Sequence, residues 1–208
     1  MRKAVYEEIS IFDTLMIRLY IAVTIERILD QIYVLPEASK TLMLSYITAD
    51  SFQKGHILLK ADRVEKAVYF IKKGIVRAFA PQAEQDVTFW FGEEGETILS
   101  MKSYVANEKG YENVELLEDC ELFELKIDML HKLYNQDIHI ANWGRRLAEK
   151  ELLKIENRVV STELLSAKKR YDSLLENSPG LIQRVPLKYI ASYLSITQVS
   201  LSRIRKEK

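Results

Sequence analysis

The sequence predicts an α+β fold: N-terminal helices, an antiparallel double-stranded β-barrel of jelly-roll type, a long helix and a C-terminal helix-turn-helix. Three observations carry this. Between Ser51 and Lys126 the chain breaks into seven short β-rich runs, separated by turn residues at the 8–12 residue spacing of a barrel or sandwich. After Asp128 the apolar period switches to three and four and stays helical. The last 48 residues carry nine Lys+Arg against four Asp+Glu, and the first 160 carry 21 against 26, a split of +5 against −5 within a neutral chain.

Composition narrows the function classes. At 208 residues, 48% hydrophobic and 29% charged, with 7 Gly and 4 Pro, the chain has ample core for two modest domains and is neither disordered nor collagen-like. A single cysteine, Cys120, excludes a disulfide framework or a thiolate-held cluster, and His56, His131 and His139 lack the spacing of a zinc site. No cofactor is expected. The most apolar stretch, Leu15 to Val23, is interrupted by Arg18 and is too short to span a bilayer, so a cytoplasmic protein without membrane contact is expected.

The elements follow in order. Ile9, Phe12, Met16, Leu19, Val23 and Ile28 are mostly three or four apart and predict an amphipathic helix from Val5 to Leu29. A second short helix is expected over Ser39 to Ile47. The β-runs are Gly55–Leu59, Val68–Ile71, Ile75–Phe79, Val87–Phe91, Thr97–Leu99, Val114–Leu117 and Leu122–Leu125. Gly74 supplies the positive φ of a tight hairpin between the second and third runs, and Gly92 and Gly95 mark another turn.

From Ile138 the positions Ile138, Ala141, Arg145, Ala148, Leu152, Ile155 and Val159 alternate by three and four, six of the seven apolar. Such a stripe needs a cover, either its own domain or a second chain. Trp143 and Leu147 widen the apolar face, so that one seam can meet the barrel and the other a partner. Glu163 to Glu176 reads as another helix stopped by Asn177-Ser-Pro-Gly180. The domains expected are 1–136, 137–160 and 161–208.

The final stretch is a helix from Val185 to Leu194, a turn at Ser195-Ile196, and a helix N-capped by Thr197, with small Ala191 where the helices approach. In helix-turn-helix geometry the second helix enters the major groove. Gln198, Val199, Ser200, Ser202 and Arg203 then face base edges, because Leu201 and Ile204 turn inward. Gln suits adenine, Arg guanine, and valine methyls the thymine methyl. Lys188, Thr197, Arg205, Lys206 and Lys208 are placed to bind phosphate, which positions without specifying.

With these motifs in view, the chain resembles the CRP/FNR family of bacterial transcription regulators, most of all the short members common in the Bacteroidetes. The residues that carry the resemblance are Tyr69-Phe-Ile-Lys-Lys-Gly-Ile-Val-Arg77, Leu116-Leu-Glu-Asp-Cys-Glu-Leu122, Arg184-Val-Pro-Leu-Lys-Tyr-Ile-Ala-Ser-Tyr-Leu194 and Ser200-Leu-Ser-Arg-Ile-Arg205. They cover roughly residues 40–208. The resemblance implies a cyclic-nucleotide-binding-type barrel, a long dimerisation helix and a C-terminal DNA-binding unit.

It also implies an effector pocket, near Arg77, Glu96, Leu99, Ser100, Gly110 and Tyr111. Members that bind cyclic AMP place Gly-Glu on the ribose and Arg followed by Ser or Thr on the phosphate. Here the positions of the first pair fall on Leu99-Ser100 and those of the second near Gly110-Tyr111. A buried phosphate without its Arg costs several kcal/mol, so cyclic AMP is not the expected ligand. Arg77, Lys102 and Lys109 are the cations that could serve an anion instead. The family's main base-contacting positions correspond to Gln198, Val199 and Arg203, and only the Arg matches the cyclic-AMP receptor pattern. The sequence stops at Lys208, before the β-hairpin wing that usually follows.

The reading is a dimeric DNA-binding regulator whose barrel senses an unidentified small molecule or is ligand-free. Its expected partners are a double-stranded DNA operator, a second copy of the chain through the helix from Ile138 to Val160, RNA polymerase and the unidentified effector. The alternative is a ligand-binding or protein-interaction module whose helical end no longer binds DNA. No Ser/His/Asp or Cys/His constellation and no Gly-rich phosphate loop can be assembled for an enzyme.

Overall fold

The computed structural model describes residues 23–206. Most of the helix expected over Val5–Leu29 lies outside them, and among the described residues a helix begins only at Ile25. Thr24 is extended (φ −93°, ψ 156°), and its hydroxyl accepts the Arg27 N–H, so it starts a fresh helix α1, Ile25–Ile32. Helix α2, Glu37–Leu44, stops earlier than the Ile47 expected. Ile47 opens a strand that the sequence hides: in β1, Ile47–Phe52, the four central residues are all exposed, so no apolar alternation marks it.

Strands β2 (Ile57–Leu59), β3 (Ala67–Lys73), β4 (Val76–Ala80), β5 (Val87–Gly92), β6 (Thr97–Ile98), β7 (Asn113–Leu116) and β8 (Cys120–Lys126) follow. They form two antiparallel sheets, ordered β1-β8-β3-β6 and β2-β7-β4-β5. Consecutive strands β3 and β4 therefore sit in different sheets. Gly74 does not close a hairpin, as expected, but turns the chain from one sheet to the other. Its φ is +107°, and a Cβ there would lie 2.4 Å from Cys120 Sγ. Gly95 (φ +93°) lies in the corresponding crossing from β5 to β6. The short helix α3, Met101–Ala106, was not expected, because six residues are too few to display a helical period. Asn107 ends it in the left-handed region.

Helices α4 (Ile127–Gln136) and α5 (Ile138–Leu164) come next. Asp137 caps α5: its carboxylate accepts the His139 and Ile140 N–H groups and also the Ser39 hydroxyl at 2.7 Å. The 27 residues of α5 span roughly 40 Å. Its first half is nailed to the barrel. Ile140, Trp143 and Leu147 share a core with Val68, Phe70, Leu125 and the N-terminal Ile28 and Leu29, and the Trp143 indole N–H donates to the Leu29 carbonyl at 3.0 Å. Gly144 leaves room for the Tyr134 ring, which a Cβ would meet at 2.3 Å.

The single helix expected over Glu163–Glu176 is two. Leu165 is extended (φ −102°, ψ 139°), and Ser166 N-caps α6, Ala167–Asn177. Asn177-Ser-Pro-Gly ends α6 as expected, but Pro179 at once opens another short helix, α7, Pro179–Arg184. Helices α8 (Leu187–Tyr193) and α9 (Gln198–Lys206) complete the helix-turn-helix, with Ser195 at φ 55° in the turn.

Two glycines of positive φ separate strain from crowding. Gly74→Ala is expected to destabilise the protein by about 2–4 kcal/mol in denaturant titration, since strain and collision with Cys120 add. Gly55→Ala has the same sign of φ (+84°) but open space around the new methyl, and should cost only about 1 kcal/mol.

Candidate functional site

The helix-turn-helix is built onto the barrel rather than hung from it. Strand β5 is the outer strand of its sheet, and its free edge is covered by α8. The Ser192 hydroxyl accepts the Thr88 N–H and donates to the Asp86 carbonyl, both at 3.0 Å, replacing a neighbouring strand. Beneath that edge Ile75, Phe91 and Leu117 of the barrel share one core with Tyr171, Leu181, Ile190, Leu194 and Leu201. Arg184 at the end of α7 reaches Glu94 (2.7 and 3.0 Å) and Glu118. These two carboxylates, Glu118 foremost, hold its guanidinium above its ordinary value. Burial alone would raise the Glu94 carboxyl, but Arg184 and the Gly74 N–H outweigh it and hold Glu94 below the usual carboxylate range.

Arg77, expected at the effector pocket, belongs to this seam instead. It is 3% exposed, paired with Asp86 at 3.0 Å and Glu115 at 3.3 Å, and its guanidinium lies between the Phe79 and Tyr189 rings at 3.9 and 3.7 Å. Its position on β4 points it outward toward α8, away from the barrel interior, and its charge is already matched.

The outer face of α9 is open. Gln198, Val199 (62% exposed), Ser202, Arg203, Arg205 and Lys206 face solvent, Ser200 is half-buried, and Leu201 is buried as the helical period requires. The Thr197 hydroxyl accepts the Ser200 N–H at 3.1 Å, so it serves as the N-cap. Lys188 lies exposed on α8 with its ammonium 4.7 Å from the Tyr189 ring. Lys208 falls outside the described residues.

Helix α5 divides as its sequence suggests. Below Leu147 the buried face meets the barrel. Beyond it Leu152 (66% exposed), Ile155 (52%) and Val159 (55%) stand uncovered, Ile138 is exposed at the other end, and Ala141 and Ala148 are half-buried. Leu153, Val160 and Leu164 broaden the exposed apolar band.

Between barrel, α5 and the helical unit lies a cavity of about 610 Å³. Phe89, Trp90, Phe91 and Tyr111 give it an aromatic wall, Glu93, Glu96, Glu112 and Glu151 add carboxylates, and Ile155, Arg158 and Val159 of α5 and Tyr193 of α8 close it. Lys154 crosses its wall, paired with Glu151 (2.9 Å) and Glu96 (3.3 Å). Burial lowers the Lys154 ammonium, and those two carboxylates more than restore it. Of the six expected pocket residues, Glu96, Leu99 and Tyr111 line this cavity; Ser100, Gly110 and Arg77 do not. Trp90, Lys154, Arg158 and Tyr193 were missed. Only the i, i+4 spacing of Lys154 and Arg158 hinted that two cations share a face of α5.

Residues 49–137 match the family model described as Cyclic nucleotide-binding domain. No curated protein matches the sequence. Among solved structures, the chain is similar to a putative transcriptional regulator of the CRP/FNR family from Eubacterium rectale (TM-score 0.67, 16% identity, 83% of each chain covered). It is also similar to FixK2 from Bradyrhizobium japonicum (0.64, 18%, covering 77% of this chain and 83% of that one). A third likeness is to CLP, a c-di-GMP-responsive global regulator of Xanthomonas campestris (0.65, 15%, 83% and 91%). The fold is that of CRP/FNR regulators. Among the described residues, no helix is long and apolar enough to cross a membrane.

At the positions that the resemblance assigns to the cyclic phosphate, the chemistry is wrong for that group. Gly110 is pressed against Ser100, a Cβ there standing 2.7 Å from Ser100 Oγ, and the neighbouring group on the cavity wall is the Glu112 carboxylate, 3.0 Å from the same point. A phosphate there would meet the negative charge of Glu112, and the arginine that lines this cavity, Arg158, belongs to α5 and not to this stretch. Calorimetry with cyclic AMP is therefore expected to show no saturable binding up to the millimolar range. A micromolar constant would mean that another cation of the wall takes the phosphate.

Proposed function

We propose that the chain is a homodimeric, DNA-binding transcriptional regulator, with residues 1–136 as effector domain, 137–160 as dimerisation helix and 161–208 as DNA-binding domain. The observation that carries this reading is the uncovered polar face of α9, set on a helix-turn-helix in a fold shared with transcription regulators. Gln198, Val199, Ser200, Ser202 and Arg203 read base edges, and Lys188, Arg205, Lys206 and Lys208 hold the backbone. Thr197 caps the helix, and its N-terminal position also brings it to the phosphates. The charge excess of residues 161–208 supplies the sequence-independent part of the affinity.

A second copy of the chain covers the band formed by Leu152, Ile155 and Val159. Packing two α5 helices in parallel sets two recognition helices about 34 Å apart, as a two-fold symmetric reader of the major groove requires. The protein then works in the cytoplasm on a double-stranded operator, with RNA polymerase as its downstream partner.

Leu152→Glu buries a charge in that seam, and sedimentation is expected to show monomers where the unaltered chain is a dimer at micromolar concentration. A monomeric unaltered chain overturns the dimer. In binding titrations at matched salt, Arg203→Ala should lose about 1–3 kcal/mol of discrimination between a selected operator and random DNA. Lys206→Ala should weaken both equally and lower the salt slope by about one. Full discrimination in Arg203→Ala would instead favour the interaction-module reading.

A further inference from the structure

Beside the aromatic cavity, where α5, α6 and α8 converge, lies a smaller cleft of about 150 Å³, and its chemistry is different. Two guanidiniums, Arg158 and Arg170, face it together with the hydroxyls of Ser161, Ser173 and Ser178 and the Asn177 amide. Among the described residues neither guanidinium is within salt-bridge distance of a carboxylate. Arg158 donates to the Tyr193 carbonyl, and Arg170 donates to the carbonyls of Leu165 (2.6 Å) and Leu194 (2.8 Å). Arg170 also donates to the Thr162 carbonyl (3.4 Å), and the Arg158 guanidinium lies 4.2 Å from the Tyr193 ring. These helix-end carbonyls and the ring offset part of the two charges, but no carboxylate does. Arg170 Nε is buried with no partner at all. Burial and the nearby Arg170 charge both depress the Arg158 guanidinium, against the pull of Tyr193.

Two like charges held together with unused donors are a standing cost that an anion removes, and the forked geometry of guanidinium suits an oxyanion. We propose that this cleft binds the oxyanion group, a phosphate monoester or a carboxylate, of a small organic acid whose flat apolar body lies in the aromatic cavity. The two spaces are contiguous, sharing Arg158, Ser161, Ser173, Ser178 and Tyr193 as walls. The acid group and the body therefore have separate, adjoining places. An occupant neutralises Arg158 and Arg170 at the joint between the long helix and the helix-turn-helix, so it tightens the seat of α8 and α9. That consequence for DNA rests on the regulator reading; the site itself does not.

The test is calorimetry and thermal unfolding of the full chain without DNA, using phenyl phosphate, benzoate and phenol at low millimolar concentration and matched ionic strength. At least one of the two acids should bind saturably and raise Tm, and phenol should do neither; a response to one acid alone assigns the oxyanion. Arg158→Gln and Arg170→Gln should each weaken binding about tenfold or more. Lys168→Gln, a surface cation on the same helix paired with Asp172, should leave it unchanged. Because losing an arginine can also loosen the fold, Ser173→Glu provides an independent check: its carboxylate enters the cleft, raises Tm without ligand and abolishes acid binding. The proposal is overturned if neither acid binds, if Lys168→Gln loses as much as Arg170→Gln, or if binding survives Ser173→Glu. Failure of DNA binding with acid binding intact would remove the regulator reading and leave the site standing.

Discussion

The arrangement of this protein depends on Arg184. From the end of the short helix α7 it holds two barrel carboxylates at once, Glu94 and Glu118, and Glu94 in turn accepts the backbone N–H of Gly74, where the chain passes between sheets. One side chain thus ties the helical unit to the barrel corner where Gly74 turns the chain between sheets. The aromatic cavity, the arginine cleft and the outward aspect of α9 all require the two units to sit in this relation.

Magnitudes divide the labour at that seam. Burying an aliphatic or aromatic side chain contributes about 1.5–3 kcal/mol, and Ile75, Phe91, Leu117, Leu181, Ile190 and Leu201 all take part in the shared core. A partly exposed ion pair contributes only about 0.2–1 kcal/mol. The apolar seam therefore supplies the adhesion. Arg184, the Ser192 hydroxyl and the stacked Arg77 supply orientation, because each has geometric demands that an oily surface lacks. Ser192 of α8 also occupies the Thr88 and Asp86 backbone groups at the start of β5, so another chain cannot pair with them.

Helix α5 links the remaining features. Its first half is immobilised by Trp143 and Leu147, its second half carries an uncovered apolar band, and Lys154 and Arg158 turn inward to the cavities. A change at the cavity wall is thus felt on the helix that presents that band and on α8, which Arg158 touches through Tyr193.

The sequence by itself determined whatever is local. Short β-runs, the period of α5, the capping threonine before α9 and the inward-facing Leu201 were legible, because each is set by residues within one or two turns of one another. Strand β1 was not, since its exposed central residues have no apolar alternation, and neither were α3 and α7, each a single turn or two long. At Gly74 a positive φ specifies a turn, but only strand pairing decides whether the turn joins neighbours or crosses between sheets. Arg77 was misplaced for a similar reason. Its charge was visible, but the partners that consume it, Asp86, Glu115 and Tyr189, come from three other segments. Arg158 and Arg170, twelve residues apart on two helices, face one cleft only because Leu165 breaks the chain between them. Periodicity and caps act through near neighbours, whereas the seam and its cavities are made by long-range packing, and that only the tertiary structure decided.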